Sequence, residues 1–249
     1  MKLSQNFLLS KTVAKSLCSA AQISKNDTVL EIGPGKRIIT EELSLRAGKV
    51  IAVEADRDLC KLLEGKLSNN VQLISGDFLN VILPKFNKIV SNLPFKISSP
   101  ALFRLFSLDW EKAVLILQKE FALRLVAKAG DRNYSRLSVA SSFYCKAKIL
   151  QTLPPTFFRP KPKVSAAVVL LEKAEPPFEA SEEFWEFINK IFQHRKKILR
   201  AALKSAKLPT ETKFGSRRVF TLNLSELKQV FEEICSVQTI KNQVSIRKQ

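Results

Sequence analysis

The chain reads as an α/β protein: an open, doubly wound parallel sheet followed by a small all-helical carboxy-terminal domain. Three observations predict this. Apolar runs of strand length alternate with segments whose apolar residues recur at helical spacing. Four of those runs end in Gly-rich or polar residues, as strands of such a sheet do where they face a ligand. Beyond Ala174-Glu175-Pro176-Pro177, which reads as a linker, only helical periodicity remains.

In chain order, Met1 to Ser10 precedes the sheet and is too polar to be a strand. Thr28-Val29-Leu30-Glu31-Ile32 is the first strand and stops at Gly33-Pro34-Gly35. Ile38, Ile39, Leu43 and Leu45 mark the helix after it. Val50 to Val53 is a second buried strand, ending at Glu54, and Leu59, Leu62, Leu63 and Leu67 recur at helical spacing behind it. Val71 to Ile74 ends at Gly76-Asp77, Lys88 to Ser91 ends at Asn92, and Ala113 to Leu117 is a fifth strand. Cys145 to Leu153 and Val164 to Glu172 flank a Pro-rich stretch, and their closeness predicts an antiparallel pair. The helical tail is marked by Phe184, Phe187, Ile188, Ile191 and Phe192, then Ile198, Leu199 and Leu203, then Leu224 to Ile234. The expected division is therefore residues 1–174 and 175–249. No repeat or low-complexity tract interrupts it.

Composition narrows the function. Of the 249 residues, 45% are hydrophobic, enough for a sizeable core. Lys and Arg outnumber Asp and Glu 41 to 23, a formal charge of +18. That surplus favours a polyanionic partner, nucleic acid ahead of an anionic membrane. Cys18, Cys60, Cys145 and Cys235 are scattered and His194 is the only histidine, so neither a zinc site nor a disulfide framework is expected. His194 lies beside Arg195, Lys196 and Lys197, which reads as a basic helix rather than an acid–base site. With no long apolar amino-terminal core and no membrane-length apolar run, a cytoplasmic protein is expected.

The strand ends carry the chemistry. Glycines in the first turn let backbone approach a ligand closely. A carboxylate ending the second strand, Glu54, suits the two hydroxyls of a ribose. Asp77 can accept from an adenine amine. An adenosine-bearing cofactor follows. For NAD the fingerprint G-x-G-x-x-G fails, because its third glycine falls on Ile38 and Lys36 and Arg37 crowd the turn. S-adenosylmethionine, which has no phosphates, fits better. Asn92-Leu93-Pro94-Phe95 is an unusual strand exit: Pro94 stiffens the loop, Leu93 before it is held extended, Asn92 offers an amide, and Phe95 offers an apolar face. Such a corner can hold a planar base by stacking while acceptors take the hydrogens of its exocyclic amine.

With these residues in view, the chain resembles the ribosomal RNA adenine dimethyltransferases of the KsgA and Dim type. The matching blocks are Gln5-Asn6-Phe7-Leu8, Glu31-Ile32-Gly33-Pro34-Gly35, Val53-Glu54-Ala55-Asp56, Gly76-Asp77, Asn92-Leu93-Pro94-Phe95, and residues 154–164, which contain Phe157-Phe158-Arg159-Pro160-Lys161-Pro162-Lys163. Gln193-His194-Arg195-Lys196 with Leu199 and Arg200 looks like the family's basic helix. Tyr134 to Val139 and Ile97 to Pro100 lean toward the archaeal and eukaryotic branch. The resemblance implies a Rossmann-like methyltransferase sheet and a helical RNA-binding domain. It implies transfer of two methyl groups to the exocyclic amine of each of two adjacent adenosines near the 3′ end of small-subunit ribosomal RNA, in a pre-ribosomal particle, by a monomer. It further implies that Gln5, Asn6, Leu8, Gly33, Gly35, Glu54, Asp77, Phe78 and Asn92 bind S-adenosylmethionine and that residues 92–95 form the catalytic loop. Arg37 stands where Gly or Ala is usual, and Phe95 where Tyr is commoner.

On this reading the Asn92 side chain and the Leu93 carbonyl accept the amine hydrogens, Phe95 stacks on one face of the flipped base and Phe158 on the other. Residues 112–173 carry 12 basic and 3 acidic side chains, including Lys161 and Lys163. Arg195, Lys196, Lys197 and Arg200 add a second basic cluster, extended by Arg217 and Arg218. Such charges hold phosphates without reading sequence. The rival readings are a resistance-type methyltransferase acting on large-subunit RNA, a non-catalytic nucleic-acid-binding relative, and an NAD oxidoreductase.

Overall fold

The computed structural model describes residues 6–246. The chain forms two compact units. The first takes the described residues through Leu123 together with Tyr144–Ala174; the second takes Arg124–Phe143 and the described residues from Glu175 onward.

The first unit contains strands β1 (Phe7–Leu8), β2 (Thr28–Ile32), β3 (Lys49–Glu54), β4 (Val71–Ser75), β5 (Lys88–Asn92), β6 (Lys112–Gln118), β7 (Cys145–Leu153), β8 (Phe158–Arg159) and β9 (Ala166–Lys173). Its helices are α1 (Lys11–Ala20), α2 (Ile38–Arg46), α3 (Arg57–Leu63), α4 (Ser98–Phe106) and the start of α5 (Lys119–Val126); α6 (Arg136–Tyr144) leads back into β7. Seven strands make one sheet in the order β4-β3-β2-β5-β6-β9-β7. β4 through β6 are parallel. β9 runs antiparallel between β6 and β7, and its pairing with β7 is the one that the closeness of those two segments predicts. The continuous apolar runs are explained by burial: every residue of Val29–Ile32 and Ala113–Leu117 is buried. Val13, Leu17 and Cys18 of α1 and Leu43 of α2 pack with Val29, Val50, Val90 and Val114 in one core.

Three expectations about the first unit and the division of the chain need correction. The amino-terminal segment does contain a strand, β1, which pairs antiparallel with β8 through Phe7↔Arg159 and Leu8↔Phe158. α3 ends at Leu63, ahead of Gly65 with φ +69°, so Leu67 lies outside it. The boundary after residue 174 leaves out a return of the chain: Arg124–Phe143 belongs to the second unit, where Tyr134 and Val139 join the helical core.

In the second unit, α7 (Glu182–Phe192), α8 (Leu199–Ser205) and α9 (Leu224–Ile246) bury Phe184, Ile188, Ile191, Leu199, Leu203, Leu227 and Val230 in one cluster. Ser181 caps α7 by accepting from the Phe184 N–H at 3.4 Å. His194 to Lys197 is a turn between α7 and α8, not a helix: the apolar stripe stops at Phe192, and Ile198 pairs with Arg218 in an isolated β-bridge.

Candidate active site

β2 and β5 are neighbours whose connections leave in opposite directions, to β3 on one side and β6 on the other. A crevice opens at the carboxyl edge of an open sheet at such a point. The Gly33-Pro34-Gly35 turn and the Asn92–Phe95 loop both leave the sheet there. Their strands are fastened by the buried Ser91 hydroxyl, which donates to the Ile32 carbonyl at 2.6 Å. Gly33 has φ +73° and donates its N–H to the Val53 carbonyl at 2.8 Å. A Cβ on Gly33 would sit 3.1 Å from Pro94 Cγ, and one on Gly35, at φ +52°, would sit 2.8 Å from the Phe7 ring. The turn is therefore pressed between the Asn92 loop and β1, and both conformation and closeness require glycine.

Asn92 is the most constrained side chain of the loop. Its Nδ2 donates to the Asn6 carbonyl at 2.8 Å. A carbonyl can only accept, so this bond fixes which end of the amide faces Asn6. Asn92 Oδ1 is buried and has no hydrogen-bond partner among the described residues. The fully buried Leu93 anchors the loop by donating its N–H to the Ile116 carbonyl at 3.2 Å. The Pro94 carbonyl accepts from the Ile97 N–H at 3.1 Å and from Ser98 Oγ at 3.2 Å. Asn6, Phe7, Gly33, Gly35, Glu54 and residues 92–95 line one groove. Phe95 is half-buried, with part of its ring against the sheet core.

Glu54 is held from two sides. Its Oε2 accepts the Gly35 N–H at 3.1 Å and its Oε1 accepts the Asp56 N–H at 3.0 Å. Burial pushes its pKa upward against these bonds. Each oxygen keeps a second lone pair, so the carboxylate can still receive two hydroxyls. Beyond it opens a cleft of about 210 Å³ lined by Ile32, Val53, Asp77, Phe78, Lys96 and Ile97, with Gly33, Glu54 and Pro94 shared with the groove. Asp77 is exposed and caps its own turn, accepting from the Leu79 N–H at 2.9 Å and Asn80 Nδ2 at 3.2 Å. Phe78 is buried, with the Arg104 guanidinium 4.9 Å from its ring centre. A glycine cradle, a two-oxygen acceptor and an apolar cleft with one exposed carboxylate fit an adenosine-bearing group.

Glu31 is a site residue to which the sequence assigns no role. It is 1% exposed, and burial raises its pKa to about 8, with Glu54 adding to the shift. Its Oε2 lacks a partner among the described residues, and it shares a small cavity with Phe7, Gly33 and Asn92. Burial thus favours the protonated form of this carboxyl beneath the Gly33-Pro34-Gly35 turn.

A model of the ribosomal RNA adenine dimethylase family matches residues 1–242. The chain belongs to this family. The probable ribosomal RNA small subunit methyltransferase A of Pyrococcus furiosus is 41% identical, over 97% of this chain and 93% of the relative. The protein of that name from Thermococcus kodakarensis is 44% identical, over 93% and 81%. Both relatives are archaeal, in keeping with the branch suggested by residues 134–139 and 97–100. Among solved structures, a dimethyladenosine transferase from Plasmodium falciparum superposes with a TM-score of 0.80 at 28% identity, over 92% of this chain and 98% of that one. The 23S rRNA methyltransferase ErmE superposes with 0.72 at 27%, over 92% and 99%. The sheet is thus the Rossmann-like sheet of methyltransferases, and the chain is a methyltransferase of the family.

For this dimethylase family member, the remaining sequence assignments divide as follows. Leu8 is buried in β1 and supports the groove from beneath. Gln5 lies outside the described residues. Phe158 needs correction: its ring is 3% exposed, packed in the sheet core as β8 pairs with β1, and presents no free face to a base. Arg37 adopts φ +61° at the start of α2, paired with Glu41 at 2.8 Å and donating to the Lys66 carbonyl at 3.1 Å. Its side chain is therefore directed away along the helix, and the turn before it keeps its glycine geometry. Lys161 and Lys163 are exposed in the first unit; Lys196, Lys197 and Arg200 are exposed and Arg195 half-buried in the second. Arg217 pairs with Glu226 and donates to the Thr221 carbonyl, so it braces the fold rather than extending the basic surface. No group of three metal-ligating side chains occurs among the described residues, and none of their helices is long and apolar enough to cross a membrane.

Proposed function

We propose that this chain uses S-adenosylmethionine to dimethylate the exocyclic amines of two adjacent adenosines near the 3′ end of small-subunit ribosomal RNA. The substrate is the RNA within an assembling particle, and the enzyme acts as a cytoplasmic monomer. The observation that carries the reading is the orphaned acceptor at Asn92. A buried oxygen without a partner costs roughly 1–3 kcal/mol, so its retention in a groove points to a ligand donor. The names of the archaeal relatives, ribosomal RNA small subunit methyltransferases, support the small-subunit substrate over the large-subunit one.

The cofactor spans the cleft and the groove beside it: Glu54 for the ribose hydroxyls, Asp77 and Phe78 for adenine, and Asn6, Leu8, Gly33, Gly35 and Asn92 for the methionine portion. When bound, it supplies an electrophilic methyl carbon. The adenine amine is a weak nucleophile because its lone pair is delocalised into the ring. The protein's task is position and electrostatics. Asn92 Oδ1 and the Leu93 carbonyl accept the amine hydrogens and free the lone pair, while Phe95 supports one face of the base. No side chain need remove a proton first, since the alkylated ammonium loses one readily.

The test is transfer of tritiated methyl to small subunits lacking the modification, followed by nucleoside mapping. The expected product is N6,N6-dimethyladenosine at two neighbouring positions. Small subunits left unlabelled, while large-subunit RNA offered in a parallel reaction takes up label, would overturn the assignment.

A further inference from the structure

Within the second unit, three turns meet around a cavity of 420 Å³ lined by Gly130, Arg132, Arg195, Lys196, Arg218 and Phe220. This lies within the roughly 300–1,000 Å³ range of small-molecule sites. The turns are laced by main-chain bonds. Gly130 donates its N–H to the Phe220 carbonyl at 2.8 Å, and Phe220 donates to the Arg195 carbonyl at 3.0 Å. The guanidiniums are aimed by carbonyls: Arg195 donates to those of Arg132 (2.9 Å) and Tyr134 (2.7 Å), and Arg218 to that of Lys196. None of the four cations forms an ion pair with an acid among the described residues. The nearby Asp131 is turned back on its own loop, accepting from the Lys128 N–H at 2.8 Å. Phe220 is half-buried, one side on the helical core and the other on the cavity. Gly130, at φ +93°, has open space where a Cβ would be.

We infer that this cavity captures one unpaired nucleotide of the RNA, with its base against Phe220 and the guanidinium planes and its phosphate among Arg132, Lys196 and Arg218. Two features select this occupant. Four unneutralised cations around one recess match a phosphate, which a bidentate guanidinium holds best. An aromatic wall between arginines is how unstacked bases are held without sequence selection. A double helix offers no free base face to the Phe220 wall. The inference rests on the RNA-substrate reading, and adds a second nucleotide site separate in its residues from the Asn92 groove.

The test uses the full chain and unmethylated small subunits, with binding titrated against salt. Arg132→Gln removes an exposed charge. It should weaken binding about fivefold and lower the log–log salt slope by about one contact. Phe220→Leu keeps an apolar side chain on the core. It should weaken binding about tenfold with the slope unchanged, because stacking releases no counterions. Both defects should fall on KM rather than kcat. Benzoylphenylalanine in place of Phe220 should cross-link to a single RNA nucleotide. Parental affinity and slope in both variants, or a cross-link to ribosomal protein alone, would overturn the site while leaving the methyl-transfer reading intact. If the parent transfers no methyl group, the functional reading fails, and the binding curves and cross-link still decide the cavity.

Discussion

An amide in a protein core ordinarily has both ends satisfied, and Asn92 has one. Replacing it with Ala removes the acceptor and its anchor to Asn6 but leaves Leu93 and Pro94 holding the loop. Asn92→Ala should therefore lose about 10²–10³-fold in turnover, the scale seen when one preorganised polar group is removed from a transition state, with its melting curve close to the parent's. Near-parental rates would end the role proposed for it. Glu31 makes a different prediction. Its ordinary value of 4.5 is raised to about 8 in the folded chain. Between those values the unfolded chain has lost the proton and the folded chain keeps it. Stability should fall as pH rises from about 4.5 to about 8, with no further loss from this group above that. Glu31→Gln should flatten that slope, read as urea midpoints across the interval. The glycines, Glu54 and Asn92 were legible in the sequence because each sits at a strand end and its residue type carries the chemistry. The state of Glu31 was not, because it depends on which face of β2 lies under the turn.

At the scale of elements, the two-residue ladder between β1 and β8 ties the Gly33-Pro34-Gly35 turn, through Phe7, to the Pro-rich segment. Phe158 lies in that ladder, in the core. Phe158→Ala should cost about 3–5 kcal/mol of stability through the cavity it leaves. Phe158→Leu should retain methyl transfer, whereas a stacking role would cost both variants activity at unchanged stability. Thermal melts and initial rates on the same samples separate the two. A strand this short has no periodicity to read, so β1 was invisible among polar neighbours. α6 is hard to read for the opposite reason: Ser138 and Ser141 are buried among Leu137, Val139 and Ala140, so polar residues interrupt its apolar stripe and imitate a loop. The turn at His194–Lys197 reads as a helix from sequence because charge clustering carries no information about period. The longer strands were legible because burial on both faces makes them unbroken apolar runs.

For the molecule as a whole, composition gave the partner class and little of the geometry. The assignment of Arg124–Phe143 to the second unit could not be read from local pattern, since it depends on contacts between distant parts of the chain. The surplus of +18 is spread over both units, with Lys161 and Lys163 in one and Arg195, Lys196, Lys197 and Arg200 in the other. Charges of this kind act by displacing counterions from RNA, so the logarithm of affinity should fall linearly with the logarithm of salt concentration. If all six touch phosphates, the slope should be roughly −4 to −5, from about −0.7 to −0.9 per contact. Replacing both lysines of the first unit with Gln should reduce it by about 1.5, and replacing the four cations of the second by about 3. Additive reductions would mean that both units grip RNA in one complex. A slope that collapses with the second set alone and ignores Lys161 and Lys163 would confine the electrostatic grip to the helical unit, leaving the sheet unit to hold only the target base.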